Sequence, residues 1–185
     1  MIAPRLLPAE VELRLSTLDD AAALADAQVR SREHLRQWEP VRTERWFTTD
    51  GQLERLVYQL DRYQTGHAVP WVLAEGARIV GAITLSDLVP GPFRSASLGY
   101  WLAPDALGRG LATLAVEAVA SVADSELKLH RIEASTLTGN VASQRVLERT
   151  GFQQIGMAPT YLHIDGYWQD CNLYQRILNS REPGA

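Results

Sequence analysis

Residues 100–113 read Tyr100-Trp-Leu-Ala-Pro-Asp-Ala-Leu-Gly-Arg-Gly-Leu-Ala-Thr113. This stretch predicts a strand that ends at Pro104, a turn with two glycines, and a helix that begins at about Gly110. The glycines allow a phosphate oxygen to approach the backbone without meeting a Cβ atom. The backbone amides of residues 108–112 would then converge at the positive end of the helix dipole, which favours phosphate. A tight turn with nothing bound is the alternative interpretation.

A second informative stretch follows about thirty residues later and reads Asn140-Val-Ala-Ser-Gln-Arg-Val-Leu-Glu-Arg-Thr-Gly-Phe152. Asn140 can cap a helix, and Ser143 lies one turn further along the same face. Gly151 supplies a left-handed stop, and Phe152 begins the next strand. By itself this pattern predicts a capped amphipathic helix over 141–149.

Hydrophobic periodicity predicts the elements on either side of these stretches. Strands are expected at 11–16, 69–74, 79–88, 96–102, 130–137, from 152 onward and at 172–178, with a hairpin turn at 75–78. Helices are expected from a cap at Ser16 or Thr17 to residue 38, at 49–66 and at 110–123, and a frayed tail at 180–185. This order predicts a single α+β domain with its core at about 11–179. Its mixed, largely antiparallel sheet would have about seven strands flanked by about four helices.

Composition limits the function classes that are open to the chain. Its 185 residues carry 18 basic and 22 acidic side chains, a net charge of −4. Such a balance argues against nucleic-acid binding, which needs a surplus of cations. No apolar run is long enough to cross a bilayer or to form a signal peptide, and the single cysteine, Cys171, cannot form an internal disulfide. We therefore expect a cytoplasmic protein with no nucleic-acid or membrane partner.

Together, the two stretches resemble the Gcn5-related N-acetyltransferase (GNAT) superfamily. That family's phosphate loop, Gln/Arg-x-x-Gly-x-Gly/Ala, is matched by Leu107-Gly-Arg-Gly-Leu-Ala112. Its later helix, Asn-x-x-Ser/Ala followed by Glu-Lys/Arg-x-Gly-Phe, is matched by Asn140, Ser143 and residues 148–152. The departure is Leu107, where the family usually has Gln or Arg. Because backbone amides do most of the phosphate binding, we expect this departure to weaken cofactor affinity without abolishing it.

Within the superfamily the chain is similar to the Rim-type branch, which acetylates the N-termini of ribosomal proteins. The resemblance runs from about residue 11 to 179 and includes Ser31-Arg-Glu-His-Leu-Arg-Gln-Trp38, Gly99-Tyr-Trp-Leu-Ala-Pro104 and Asp165-Gly-Tyr-Trp-Gln-Asp170. It implies acetyl-CoA as the donor, a primary amine as the acceptor, and no metal. It also implies direct transfer between the two, so Cys171 is expected as a buried packing residue rather than a nucleophile.

The resemblance further implies which residues hold the donor. The strand at Tyr100 to Leu102 is expected to splay from its neighbour, so that its unpaired backbone binds the pantetheine arm and the Leu102 amide stabilises the developing oxyanion. The donor-binding set also contains Leu107, Gly108, Arg109, Gly110, Leu111, Ala112, Thr113, Asn140 and Ser143. Ser143 is the candidate catalytic residue, since its hydroxyl would hydrogen-bond to the departing sulfur or relay a proton toward it. Packing against the pantetheine is its alternative role.

The general base is left open between several groups. Rim-type enzymes can carry a carboxylate near the start of the penultimate strand, where this chain has Leu162. The candidates are Glu33, His34, His163 and Asp165, and a water chain to a distant carboxylate is equally admissible. The candidates for lining a peptide-sized slot are the aromatic residues Trp38, Trp101, Tyr167 and Trp168.

Three functions therefore compete. The first is transfer of acetyl to the N-terminal α-amine of a protein, above all a ribosomal protein, or of a peptide. The second is transfer to a small amine such as an antibiotic, a polyamine or an amino acid, and the third is a non-catalytic CoA-binding sensor. An open groove would favour the first function and a deep acidic pocket the second. A monomer and a homodimer are both compatible with the sequence.

Overall fold

The computed structural model describes residues 2–182, and an eight-stranded sheet runs through them. Its strands are β1 (Arg5–Leu7), β2 (Val11–Leu15), β3 (Ala68–Glu75), β4 (Arg78–Val89), β5 (Ser95–Leu102), β6 (Arg131–Leu137), β7 (Gln153–Ile164) and β8 (Tyr167–Ile177). They lie in the order β1-β2-β3-β4-β5-β6-β8-β7. Each neighbouring pair is antiparallel except β5 and β6, which are parallel. The predicted α+β class, with a mixed and largely antiparallel sheet, is confirmed.

Four α-helices cover the sheet on both faces. They are α1 (Ala21–Leu35), α2 (Thr49–Gln64), α3 (Leu111–Ser125) and α4 (Val141–Arg149). The first two share a small buried cluster with Val72 of β3, whereas α3 and α4 pack into a larger cluster that contains Leu73. Because successive side chains of a strand point to opposite faces, the two helix pairs lie on opposite sides of the sheet.

The structure differs from the sequence prediction at three boundaries. The strand β1 makes eight strands instead of seven, and its three residues are too few to show an alternating pattern. The first helix ends at Leu35, and Arg36–Trp38 form a separate 3-10 turn. The last strand begins at Tyr167 rather than 172, because Asp165 and Gly166 adopt positive φ and join it to β7 in a long hairpin.

The C-terminal residues were predicted as a frayed tail over 180–185, of which 183–185 lie outside the described residues. Arg181 forms an ion pair with Asp124 at 2.5 Å, and the Glu182 carbonyl accepts a hydrogen bond from Arg94 Nη1 at 3.0 Å. These two residues are therefore held against the ends of α3 and β5. In the described part of the chain, no helix combines the length and apolar character that crossing a membrane requires.

Candidate active site

The site begins where the two parallel strands at the middle of the sheet separate. β5 pairs with β6 only through Ser95–Ser97, opposite Arg131–Glu133. On its other side β5 stays paired with β4 as far as Leu102, which lies opposite Gly81. The Ala103 amide donates to the Val80 carbonyl at 2.9 Å. Because backbone groups alternate along an antiparallel pair, the amides of Tyr100 and Leu102 face away from β4, into the gap. The splayed strand expected from the resemblance is present.

A cleft of about 400 Å³ occupies this gap. β5, β6 and α4 form most of its wall, and the segment after α1 and the end of β7 close the remaining sides. Of the predicted donor-binding residues, it brings together Tyr100, Leu102, Leu107, Ala112, Asn140 and Ser143. Gly108, Arg109, Gly110, Leu111 and Thr113 do not line the cleft and belong to the turn and helix start beside it.

That turn presents a row of free backbone donors at the start of α3. Gly108 and Gly110 both have left-handed φ, of 73° and 74°, and a Cβ atom at either position would meet nothing within 4 Å. The backbone amides of residues 108–113 donate to no acceptor among residues 2–182. Unpaired amides at a helix N-terminus, with open space in front of glycines, fit the pyrophosphate of a coenzyme A molecule.

Leu107 and Arg109 of the predicted phosphate loop each have one group that is not available to bind the donor. The Leu107 amide already donates to the Pro104 carbonyl, so only its apolar side chain is available to the cleft. The Arg109 guanidinium is paired with Glu75 at 2.7 Å. Its side chain is therefore held away as an ion pair, and its backbone amide is the group left for a ligand.

Asn140, Ser143 and Tyr100 form the polar part of the cleft wall. Asn140 caps α4, as predicted, because its Oδ1 accepts a hydrogen bond from the Ser143 amide at 3.1 Å. The Ser143 hydroxyl lies 2.8 Å from the Tyr100 hydroxyl, across the gap between α4 and β5. Burial raises the pKa of Tyr100 to about 12, against a smaller opposing effect of the Ser143 hydrogen bond. Tyr100 is thus a neutral phenol at physiological pH. The sequence did not indicate this Tyr100–Ser143 pair.

A second cavity of about 280 Å³ adjoins the cleft, because Leu35 and Glu39 line both. Three of the four candidate bases line these spaces. His34 lines the cleft, and Glu33 and Asp165 line the second cavity, where Asp165 is paired with Arg36 at 3.3 Å. His163 is exposed and lines neither space, since it packs edge-on against Trp168.

Glu39 is a carboxylate that the sequence prediction missed. It directly follows Trp38, the last residue of the segment 31–38 that carries part of the resemblance, and Pro40 comes next. Its side chain is 17% exposed and accepts a hydrogen bond from Arg42 Nε at 3.3 Å. The available signal was a charged residue between Trp38 and Pro40, directly after a segment that carries the resemblance.

The predicted aromatic slot is only half correct. Trp38 and Trp101 line the cleft, but Tyr167 and Trp168 lie on the exposed β7–β8 hairpin and line neither space. Leu162, at the position where a carboxylate was sought, is in the cleft wall. Cys171 is buried, and burial raises the pKa of its thiol, which fits a packing residue.

Comparison with known proteins agrees with this geometry. The family model for the acetyltransferase (GNAT) domain matches residues 10–153. The [ribosomal protein uS5]-alanine N-acetyltransferase of Escherichia coli is 33% identical over 168 residues, which span 90% of this chain and 87% of that enzyme.

Two solved structures share the fold over nearly the whole chain. The ribosomal-protein-S5-alanine acetyltransferase of Vibrio fischeri has a TM-score of 0.93 at 29% identity, covering 98% of this chain and 100% of that one. RimJ of Mycobacterium smegmatis, solved in complex with CoA-disulfide, has a TM-score of 0.89 at 30% identity, covering 95% of this chain and 86% of that one. The chain belongs to the GNAT family and is an acetyl-CoA-dependent N-acetyltransferase with Rim-type relatives.

Proposed function

We propose that this enzyme transfers acetyl from acetyl-CoA to the N-terminal α-amine of a protein, with a ribosomal protein as the first candidate. The observation that carries the choice of acceptor is the shape of the site. The cleft between β5 and β6 adjoins the second cavity, because Leu35 and Glu39 line both. Two adjoining spaces suit the first residues of an extended chain. The relative that acts on the alanine of ribosomal protein uS5 supports the same class.

In this proposal the amides of residues 108–113 bind the pyrophosphate of the donor. The amides of Tyr100 and Leu102, which face the gap, bind the pantetheine arm as a neighbouring strand would. The Leu102 amide also lies where it can donate to the thioester oxygen as negative charge develops there. Ser143, hydrogen-bonded to Tyr100, assists the departing sulfur. Together these residues bind and orient the donor while the acceptor enters from the opposite side.

The test is a panel of acceptors offered to the purified protein with acetyl-CoA. The panel contains peptides that carry the first residues of bacterial ribosomal proteins, the same peptides with a blocked N-terminus, and small amines. We expect thiol release with free peptides and none with blocked ones. Mass spectrometry with fragmentation should locate the acetyl group on the α-amine rather than on a lysine.

A small amine is the competing acceptor. The volume of the second cavity, about 280 Å³, is just below the roughly 300–1,000 Å³ that is usual for ligand pockets. If the small amines are acetylated and the free peptides are not, the proposed protein acceptor is wrong.

A further inference from the structure

We propose that Glu39 binds the amino group of the acceptor, and that its free carboxylate oxygen accepts a hydrogen bond from that amine. The proposal rests on the function proposed above and assigns a binding residue that sequence patterns did not reveal. Of the carboxylates in residues 2–182, Glu39 alone lines both the cleft with Ser143 and the second cavity. It therefore stands where the reacting amine and the rest of the acceptor meet.

The carboxylate is held from one side only. Its Oε2 accepts from Arg42 Nε at 3.3 Å, whereas no described residue donates to Oε1. Its backbone is fixed as well, since the Glu39 carbonyl accepts a hydrogen bond from the Asp165 amide at 3.1 Å. A fixed, partly buried carboxylate with one unused oxygen is suited to accept a hydrogen bond from a ligand.

The support behind Glu39 is itself built from packed groups. The Arg42 guanidinium lies 3.8 Å from the centre of the Trp46 ring, and Arg55 lies 5.2 Å from the same ring. Trp46 Nε1 donates to Gln28 Oε1 at 3.0 Å, and Gln28 is only 2% exposed. This arrangement fixes Arg42, and Arg42 in turn fixes the orientation of the carboxylate.

The arginines near Glu39 indicate the role of the carboxylate. Arg42 is paired with Glu39 and Arg55 interacts with it electrostatically, so two cations offset its negative charge. Cationic neighbours favour the neutral form of an amine, and the neutral form is the one that attacks a thioester. Glu39 is thus assigned to orienting a neutral amine through a hydrogen bond.

The test is Glu39→Gln, which reverses the polarity of the free position. Arg42 Nε can only donate, so the oxygen of the new amide will face Arg42 and its NH2 group will face the acceptor. We expect the KM for an α-amine peptide to rise about ten- to a hundredfold, the range for losing a hydrogen bond to a charged group. The KM for acetyl-CoA should change less than about twofold. Glu39→Asp keeps the carboxylate but withdraws it by one methylene, and it should give a smaller increase in the peptide KM.

A matched inhibitor separates contact from general damage. The same peptide with its α-amino group replaced by hydrogen cannot be acetylated, and its inhibition constant reports binding without the amine. We expect Glu39→Gln to leave this constant unchanged. Glu54→Gln is the control, because Glu54 is likewise paired with an arginine, Arg45, but lines neither space. It should leave every parameter unchanged.

The assignment is wrong if the peptide KM stays within about twofold of the parent, or if the des-amino peptide loses affinity to the same extent as the substrate. If the parent acetylates only small amines, the proposed protein acceptor fails instead. The role of Glu39 is then tested with the small amine that is acetylated. Its KM and the inhibition constant of its des-amino analogue are compared between the parent and Glu39→Gln.

Discussion

At the scale of single residues, the proposed chemistry of this site rests on the short contact between Ser143 and Tyr100. Their hydroxyl groups lie 2.8 Å apart, and the Tyr100 hydroxyl is also 3.3 Å from the Ser143 carbonyl. Tyr100 thus restricts the directions in which the serine hydroxyl can point. A free serine hydroxyl is a weak acid, so its contribution is to orient or relay a proton rather than to supply one alone.

Replacing Ser143 with alanine tests this contribution. We expect Ser143→Ala to lower kcat by about ten- to a hundredfold, less than full general-acid assistance because water can substitute for the hydroxyl. The KM for acetyl-CoA should stay nearly constant, which is the signature of an interaction made mainly in the transition state. Steady-state kinetics with a confirmed acceptor measures both. A kcat within about twofold of the parent would reduce Ser143 to a packing residue.

The raised pKa of Tyr100 predicts that the free energy of unfolding falls at alkaline pH. Its pKa is raised by burial from 10.0 to about 12. Below pH 10 the phenol is neutral in both the folded and the unfolded state, so Tyr100 adds no pH dependence to the stability there. Between pH 10 and about 12 the unfolded chain releases the proton first, so the free energy of unfolding should fall by about 2 to 3 kcal/mol, at about 1.4 kcal/mol per pKa unit.

The comparison variant is Tyr100→Phe, which keeps the ring and removes the titrating group. Denaturant unfolding of both proteins at several pH values in this window should show a smaller loss of stability in the variant. Equal losses in parent and variant would mean that Tyr100 does not ionise with the shifted pKa.

At the scale of elements, the start of α3 is the feature on which the proposed phosphate site rests. The two glycines at φ of 73° and 74° turn the backbone so that six consecutive amides, those of residues 108–113, have no hydrogen-bond acceptor among residues 2–182. The helix dipole adds partial positive charge at the same place. Because the proposed binding at this turn uses backbone amides, we expect the loop to bind the donor although Leu107 stands where the family usually has Gln or Arg.

Gly110→Asp should disrupt binding at this turn. The new carboxylate would lie in the open space before the helix and repel a phosphate, so the affinity for acetyl-CoA should fall by more than about tenfold. Isothermal titration calorimetry on the folded variant measures the loss.

The control for Gly110→Asp is Gly91→Asp, at a glycine with φ of 72° and equally open surroundings, in the loop between β4 and β5. Gly91→Asp introduces the same backbone strain, roughly 1–2 kcal/mol, but Gly91 does not belong to the proposed site. Should Gly110→Asp bind acetyl-CoA as tightly as this control does, the phosphate assignment would be wrong.

At the scale of the whole molecule, the cleft exists because the sheet is closely packed on one side of β5 and open on the other. On the closed side, Gly81 of β4 faces Leu102 so closely that a Cβ atom would lie 2.5 Å from Leu102 Cδ2 and 2.7 Å from the Trp101 carbonyl. On the open side, β6 leaves β5 after Ser97. The residues that line the cleft are therefore supported from behind by β4.

Gly81→Ala should disturb this support. We expect the free energy of unfolding to fall by about 1–3 kcal/mol, the usual cost of overpacking, and the KM for acetyl-CoA to rise as Leu102 shifts. Gly99→Ala is the stability control, because a Cβ atom at Gly99 of β5 meets nothing within 4 Å. Denaturant unfolding of the two variants compares them directly. Equal stabilities would show that the β4–β5 contact tolerates the extra methyl group.

The sequence by itself determined the class of fold and the family, and it predicted the backbone of the donor site. These features depend on local patterns: alternation in the strands, the cap and stop of α4, and glycines where φ is positive. Because a phosphate turn is formed by residues adjacent in the chain, the sequence alone could propose residues 108–113 for it, and their amides have no acceptor among residues 2–182. The strand β1 was not predicted, because three residues are too few to show an alternating pattern.

Only the tertiary structure decided which side chains meet across the cleft. Tyr100 and Ser143 are 43 residues apart in the chain, and no spacing rule relates the end of β5 to the first turn of α4. Glu39 gains its place from the fold in the same way, since the hairpin at Asp165 and the packing of Arg42 on Trp46 fix it between two cavities. Conversely, the aromatic pair Tyr167 and Trp168 looked suited to a slot but lies on an exposed hairpin. Side-chain chemistry can be taken from the sequence, but the contacts that use it depend on long-range packing, which local patterns do not encode.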